Sequence, residues 1–153
     1  MSPTDVQLRR ATVDDAAAVA AVHLAARRAA PMPSSVHADE EAEPFLAARL
    51  ADDEAWVAEV DDHVVGYVRL TETWLDDLYV DPAHAGQGIG SMLLDVAKAV
   101  RPAGFSLWVF EMNLPARAFY ARHGLVEREH TDGSDNEERS PDLRMSWDDP
   151  ASS

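Results

Sequence analysis

The chain has 153 residues and not one cysteine. That excludes disulfides, thiolate metal ligands and a cysteine nucleophile. Lysine is almost as scarce: Lys98 stands alone, and arginine supplies the other positive side chains. Against 13 basic residues stand 28 acidic ones, a formal net charge of −15. A surface of that sign repels a phosphate backbone, so nucleic acid is not an expected partner. The same field draws cations, amines among them. No apolar run approaches the roughly 20 residues that span a bilayer. Met1 to Arg10 lacks the apolar stretch of a secretory leader. No membrane partner is therefore expected, and the default address is cytoplasmic. The six histidines, at 23, 37, 63, 84, 123 and 130, match neither H-x₃-H nor H-E-x-x-H, so no metal is expected.

What is present suits one domain with a real core: 46% hydrophobic and 27% charged residues are proportions of a folded chain, not a disordered one. Val6 to Arg10 alternates as a short strand. Asp14 to Ala30 carries Ala16, Val19, Ala20, His23, Leu24 and Arg27 at helical spacing, with Thr12 and Asp15 as a cap pair and Pro31 and Pro33 as the stop. Residues 31–38 read as a loop. A second helix runs from about Asp39 to Leu50, with Pro44 marking a break or a late start. Three strands follow, Ala55 to Val60, Val64 to Leu70 and Trp74 to Val80, the first two joined by the tight turn Asp61-Asp62-His63.

A helix from Ser91 to Val100, a strand from Phe105 to Phe110 and a helix from Pro115 to His123 come next, the last closed by Gly124. Strands Leu125 to His130 and Asp142 to Trp147 bracket a polar stretch, Thr131 to Ser140, that reads as a solvated, mobile loop. Strands in runs with helices interspersed specify an α/β (α+β) domain over residues 1–147, with 148–153 as a frayed tail. The sheet is expected to be mixed, mostly antiparallel and twisted, with about seven strands and four helices.

Glycine is also scarce, yet three of only seven, Gly86, Gly88 and Gly90, fall within five residues between a strand and a helix. Glycine lets backbone approach a ligand closely. The first-turn N–H groups of the next helix have no internal partner and lie at its positive end, a phosphate site that needs no side-chain charge. The spacing excludes two nucleotide classes. There is no Gly-Lys-Ser/Thr of a P-loop, and Gly86-Gln87-Gly88-Ile89-Gly90 is not G-x-G-x-x-G. A glycine-rich connector without a ligand is the plain alternative.

The segment Leu78-Tyr79-Val80-Asp81-Pro82-Ala83-His84-Ala85-Gly86-Gln87-Gly88-Ile89-Gly90-Ser91-Met92-Leu93-Leu94 resembles the cofactor signature of the GNAT superfamily of N-acetyltransferases. The resemblance implies a GNAT-like domain with acetyl-coenzyme A as acetyl donor. It places Leu78, Tyr79 and Val80 along pantetheine, and Ala85, Gly86, Gln87, Gly88, Ile89, Gly90 and Ser91 at the pyrophosphate. The sheet would then splay near Trp74 to Val80, because backbone groups facing a ligand cannot also pair with a strand. Where the family usually has Arg or Gln, this chain has Ala85, so one side-chain contact is missing while the amides remain.

The stretch from Phe105 to Leu125 resembles the family's other hallmark, Asn-x-x-Ala-x-x-Phe-Tyr and a closing Gly, met here by Asn113, Ala116, Phe119, Tyr120 and Gly124. By that resemblance Asn113 bonds the pantetheine region, Ala116 and Phe119 belong to the cofactor site, and Tyr120 protonates the departing thiolate. Read from the residues alone, Asn113 before Pro115 is a helix N-cap, and Phe119 and Tyr120 are core. A phenol of pKa about 10 can supply the proton if it lies within hydrogen-bond reach.

The acceptor side is less marked. His23, Arg27, Trp74 and Asp77 are the substrate-contact expectations, and Glu72, Asp76, Asp77 and Glu111 are the carboxylates that could serve as a base. Asp76 and Asp77 point to opposite faces of a strand, so at most one faces the cleft. The expected function is acetyl transfer to a primary amine by direct attack in a ternary complex. A polyamine, an aminoglycoside, an amino acid or a protein N-terminus all stay open as acceptor, and a homodimer is left open too. The alternative is a non-catalytic module that binds or senses acyl-coenzyme A.

Overall fold

The computed structural model describes residues 5–148; of the expected tail, only Asp148 falls within them. Val6–Arg10 (β1), Glu54–Val60 (β2), His63–Leu70 (β3) and Leu75–Val80 (β4) form an antiparallel meander in that order. The β2–β3 turn is tight because Asp61 and Asp62 both adopt positive φ, 51° and 65°, the geometry of a two-residue hairpin. Val57, Ala58, Tyr67, Val68 and Leu70 have no exposed surface. A strand covered on both faces reads as a continuous apolar run, which is how these two appear in the sequence.

One face of the meander carries Ala16–Ala29 (α1) and Ala42–Asp52 (α2), whose Val19, Val22 and Leu46 pack with Val57 and Tyr67. The other face carries Ile89–Val100 (α3), through Ile89, Leu93, Leu94 and Ala97. Gly66 lets α3 lie close: a Cβ there would stand 3.1 Å from Leu93 Cδ1 and 3.2 Å from Ile89 Cγ2. Phe105–Phe110 (β5), Val126–Thr131 (β6) and Asp142–Trp147 (β7) make a second antiparallel sheet, ordered β5-β7-β6, with Leu114–Arg122 (α4) between β5 and β6 in the chain. The lone Lys98 ties α3 to the end of α4, donating to the His123 carbonyl at 2.6 Å and lying 5.2 Å over the Trp147 ring.

Among the described residues one parallel bridge joins the two sheets, Trp74 to Ser106, with Ser106 N–H donating to the Thr73 carbonyl at 3.0 Å. Beyond it β4 stays paired to β3, from Leu75↔Leu70 to Val80↔Gly66, and among the described residues has no strand on its other edge. The splay expected near Trp74 to Val80 is therefore present. Seven strands and four α-helices, among the described residues, also match the expected fold class.

Some boundaries differ, each for a local reason. The first helix opens with a 3₁₀ turn, Val13–Asp15, in which the Asp15 carboxylate accepts from Thr12 N–H at 2.8 Å and binds Arg9. Pro44 falls in the first turn of α2, where its missing N–H has no partner to lose, so nothing breaks there. Helix α3 starts at Ile89 instead of Ser91, which moves Ile89 and Gly90 from loop to helix.

The stretch 131–140 is not simply solvated. Asn136 donates to the Ser140 carbonyl at 2.7 Å and accepts from its N–H at 3.1 Å. Gly133 is buried so close that a Cβ would stand 2.3 Å from the Ser140 carbonyl carbon. The stretch reaches the first helix region through Glu138 to Arg27 (3.9 Å) and Glu137 to His37 (3.0 Å).

Candidate active site

Two cavities meet at Asp77. The first is a cleft of about 450 Å³ in the gap between β4 and β5, closed at one end by α4 and at the other by the end of α1. Along one wall runs the unpaired edge of β4, from Asp77 to Val80. A buried backbone group needs a partner, so an open strand edge inside a cleft is a place for a ligand's amides. The chain then turns through Pro82–His84 into Gly86 and Gly88, both exposed, with φ of 80° and 79°. Nothing lies within 4 Å of a Cβ built at either glycine, so the space that they leave is open. The first intrahelical bond of α3 is Met92 N–H to the Gly88 carbonyl. The amides of Ile89, Gly90 and Ser91 are thus free of helix partners at the positive end of a 12-residue helix.

Asn113 caps α4, its Oδ1 accepting from Ala116 N–H at 3.3 Å, and it lines the cleft. Among the described residues its Nδ2 has no hydrogen-bond acceptor, so cap and ligand contact do not compete for one group. Tyr120 also lines the cleft. Its ring sits in the core against Phe119 (centroids 5.3 Å), and its hydroxyl has no partner among the described residues. Burial pushes that phenol well above its ordinary pKa, with Tyr79 and Asp77 adding to the shift. It therefore keeps its proton at neutral pH and is a donor, not a base.

The second cavity, of about 560 Å³, lies between α1, the start of α2 and residues 137–138. His23, Arg27, Arg69, Asp77, Glu137 and Glu138 face it, with Phe45 as an apolar wall. At its junction with the cleft, Arg69 donates through Nε to Asp77 (2.8 Å) and through Nη1 to Asp53 (2.7 Å). These three side chains are only 10–12% exposed, so two carboxylates and one guanidinium leave one negative charge nearly out of water. His23 Nδ1 lies 2.9 Å from the Tyr67 hydroxyl, and Tyr79 meets the imidazole edge-on at 5.0 Å. Burial holds His23 below its usual range, against the pull of Asp77. Burial likewise raises Tyr79, to about 12.

Of the expected cofactor residues, Leu78, Tyr79, Val80, Ala85, Asn113, Ala116 and Tyr120 line the cleft together. Gly86, Gln87 and Gly88 are exposed on the loop beyond it. Three side chains are engaged elsewhere. Ile89 is 1% exposed beneath Gly66, so only its amide can face a ligand. Ser91 Oγ pairs with His123 Nε2 at 3.0 Å. Phe119 packs on Gly90, where a Cβ would be 3.4 Å from its ring, and so sets the spacing of α3 and α4. On the acceptor side, Asp77 lines both cavities, while His23 and Arg27 line the second and not the cleft. Trp74 stacks on Trp108 (6.1 Å, 10°) at the base of the gap.

Asp76 and Asp77 answer different partners, Thr71 and Arg69, although both residues border the cleft. Trp108, read from the sequence as core or cleft wall, lines the cleft. Sequence reasoning missed Phe110, the α1 residues Ala26 and Ala29 with Ala30 after them, and the pair Glu137 and Glu138. Among the described residues no His, Asp and Glu cluster could hold a metal ion, and no helix is long and apolar enough to cross a membrane.

The model of the acetyltransferase (GNAT) family matches residues 19–125. A peptidyl-lysine N-acetyltransferase, YjaB, from Salmonella typhimurium is 39% identical over 85 residues, covering 55% of this chain and 58% of that protein. This chain spans 58% and 48% of the length of the first two curated relatives that it matches. The solution structure of apo YjaB from Escherichia coli superposes with a TM-score of 0.76 at 24% identity, over 94% of this chain and 97% of that one. The PaiA N-acetyltransferase of Thermoplasma acidophilum, solved in complex with coenzyme A, gives 0.77 at 18% identity, over 94% and 99%. At those identities the two structures speak to the fold.

Proposed function

This chain belongs to the acetyltransferase (GNAT) family, and on that premise we propose that it moves an acetyl group from acetyl-coenzyme A to a primary amine. One observation carries the reading: an unpaired strand edge and a phenol without a partner among the described residues line one cleft, and from Ala85 on its rim the chain runs through two positive-φ glycines into a helix N-terminus. The residues fit the donor. The β4 edge offers backbone N–H and C=O groups to an amide-bearing arm, the amides of residues 88–91 suit a pyrophosphate, and Asn113 Nδ2 is a spare donor. Acetyl-coenzyme A, when bound, supplies an acyl group activated as a thioester.

The chain's own contributions are position, dryness and a proton. Tyr120 holds its proton in the cleft, raised in pKa by burial, where a departing sulfur would need it. Leu78, Val80 and Ala116 exclude water around that point. With no cysteine to carry the acyl group, direct transfer with both substrates bound is the simplest path. The carboxylates about the second cavity favour a cationic acceptor. The name of the Salmonella relative puts a peptide lysine first on the panel of amines to try.

The test is release of free thiol from acetyl-coenzyme A across a panel of peptide lysines, diamines, amino acids and aminoglycosides. The reading expects release that depends on one class of amine. Tight donor binding with no amine-dependent release would favour the binding module instead.

A further inference from the structure

An acceptor ammonium has no lone pair for attack, and at neutral pH an alkyl amine of pKa about 10 is almost wholly in that form. The acyl-transfer reading therefore needs a place for one proton on the acceptor side. His23 stands in the wall of the second cavity, which shares Asp77 with the cleft. Its Nδ1 lies 2.9 Å from the hydroxyl of Tyr67, a residue with no exposed surface. The hydroxyl oxygen is free to accept the Nδ1–H of His23, the arrangement that leaves the ring's lone pair on Nε2. Nε2 has no partner among the described residues and belongs to a side chain that lines the cavity. Asp77 in turn is held by Arg69, and Arg69 by Asp53.

We propose that His23 is the general base of the transfer, taking the acceptor's proton at Nε2, with Tyr67 holding Nδ1–H as the positioning residue that aims it. The proposal rests on the acyl-transfer reading. In the step, an N–H bond of the ammonium breaks, its electron pair stays on nitrogen for the attack, and the proton joins Nε2. The resulting imidazolium is stabilised by the charge of Asp77. Its proton returns to solvent after product leaves; the nitrogen sheds its second proton to solvent as the adduct collapses to the amide, and Tyr120 regains from solvent the one that it gave the thiol.

The groups around the imidazole set its readiness. Arg27 on α1 and Arg69 on β3 oppose its protonation, Asp77 on β4 favours it, and burial outweighs them all in favour of the neutral form. Tyr79 on β4 covers its edge, while His37, Glu41, Glu137 and Glu138 line the cavity around it. His23 is accordingly a free base at pH 7.

Nitrogen-15 imidazole spectra of the wild-type protein, assigned with His23→Gln, read the tautomer without any turnover. They should show Nδ1–H and a midpoint below the ordinary value of about 6.5. In kinetics, His23→Gln should lower kcat/KM at pH 7 by about 10²-fold or more, with acetyl-coenzyme A affinity unchanged. The acidic limb should vanish, leaving a rate that climbs with pH as free amine forms by itself. Tyr67→Phe should shift the tautomer toward Nε2–H and lower kcat/KM about tenfold. A wild-type Nε2–H tautomer, or a His23→Gln profile matching wild type, overturns the proposal and leaves acyl transfer standing. Absence of thiol release by wild type with every amine overturns the reading beneath it.

Discussion

Replacing Tyr120 with phenylalanine removes one oxygen and leaves the ring in place. The ring is 8% exposed and packs on Phe119 within the core, so the packing survives the change. The hydroxyl has no partner among the described residues, so no internal hydrogen bond is lost. Stability should therefore shift by no more than about 0.5 kcal/mol. At about 2–4 °C per kcal/mol for a chain of this size, Tm moves by about 2 °C at most.

The rate should behave quite differently. General acid catalysis is worth about 10²–10⁴-fold, or about 2.7–5.4 kcal/mol of barrier at 1.36 kcal/mol per decade. Burial raises the phenol above its ordinary pKa, so the donor stays protonated and the loss should be flat from about pH 6 to 9. Thiol release under saturating donor and amine measures kcat, and calorimetry measures donor affinity. A donor with a more acidic thiol needs less help, so the loss should shrink with it. A kcat within about threefold of wild type, where chemistry limits turnover, would refute the role. A loss of donor affinity with kcat intact would make Tyr120 a binding residue.

Gly88→Val should lower acetyl-coenzyme A affinity at least tenfold by calorimetry, because φ of 79° strains a β-branched residue and its side chain fills the open space over the amides. Unchanged affinity would move the pyrophosphate elsewhere. Ala85→Arg, at an exposed position on the rim of the cleft, should tighten binding by about 1.5–3 kcal/mol through a charge-assisted contact, and the gain should fade in high salt. Arg69→Met leaves Asp53 and Asp77 nearly buried without a cation and should cost about 3–5 kcal/mol in urea unfolding at pH 7. A loss below about 1 kcal/mol would contradict the triad.

Most of the framework was legible because it is written in local pattern. The covered strands β2 and β3 announced themselves as apolar runs, and the glycines at 86 and 88 needed φ values that other residues resist. Asn113 and Pro115 were legible as a cap and a first turn, whereas Tyr120 read as core from its helix and as a site residue only by the family resemblance. What stayed hidden depends on pairs remote in the chain. Ile89 reads as a loop residue until Gly66 opens a seat for it under α3. Residues 131–140 read as solvated because Glu137 and Glu138 show their partners, His37 and Arg27, only after folding. The Asp53–Arg69–Asp77 triad joins the start of β2 region to β3 and β4, and strand periodicity alone would have left Arg69 on an apolar face without explanation.

The central claim is that the gap between β4 and β5 holds the acyl donor. Backbone amide resonances followed during titration with coenzyme A test it most directly. The account predicts that the largest shifts fall on Gly86, Gly88, Gly90 and Ser91, with slowed hydrogen exchange along residues 78–80 and a change at the Asn113 side-chain amide. Shifts gathered on the outer face of β6, or along α2, with those positions silent, would contradict it.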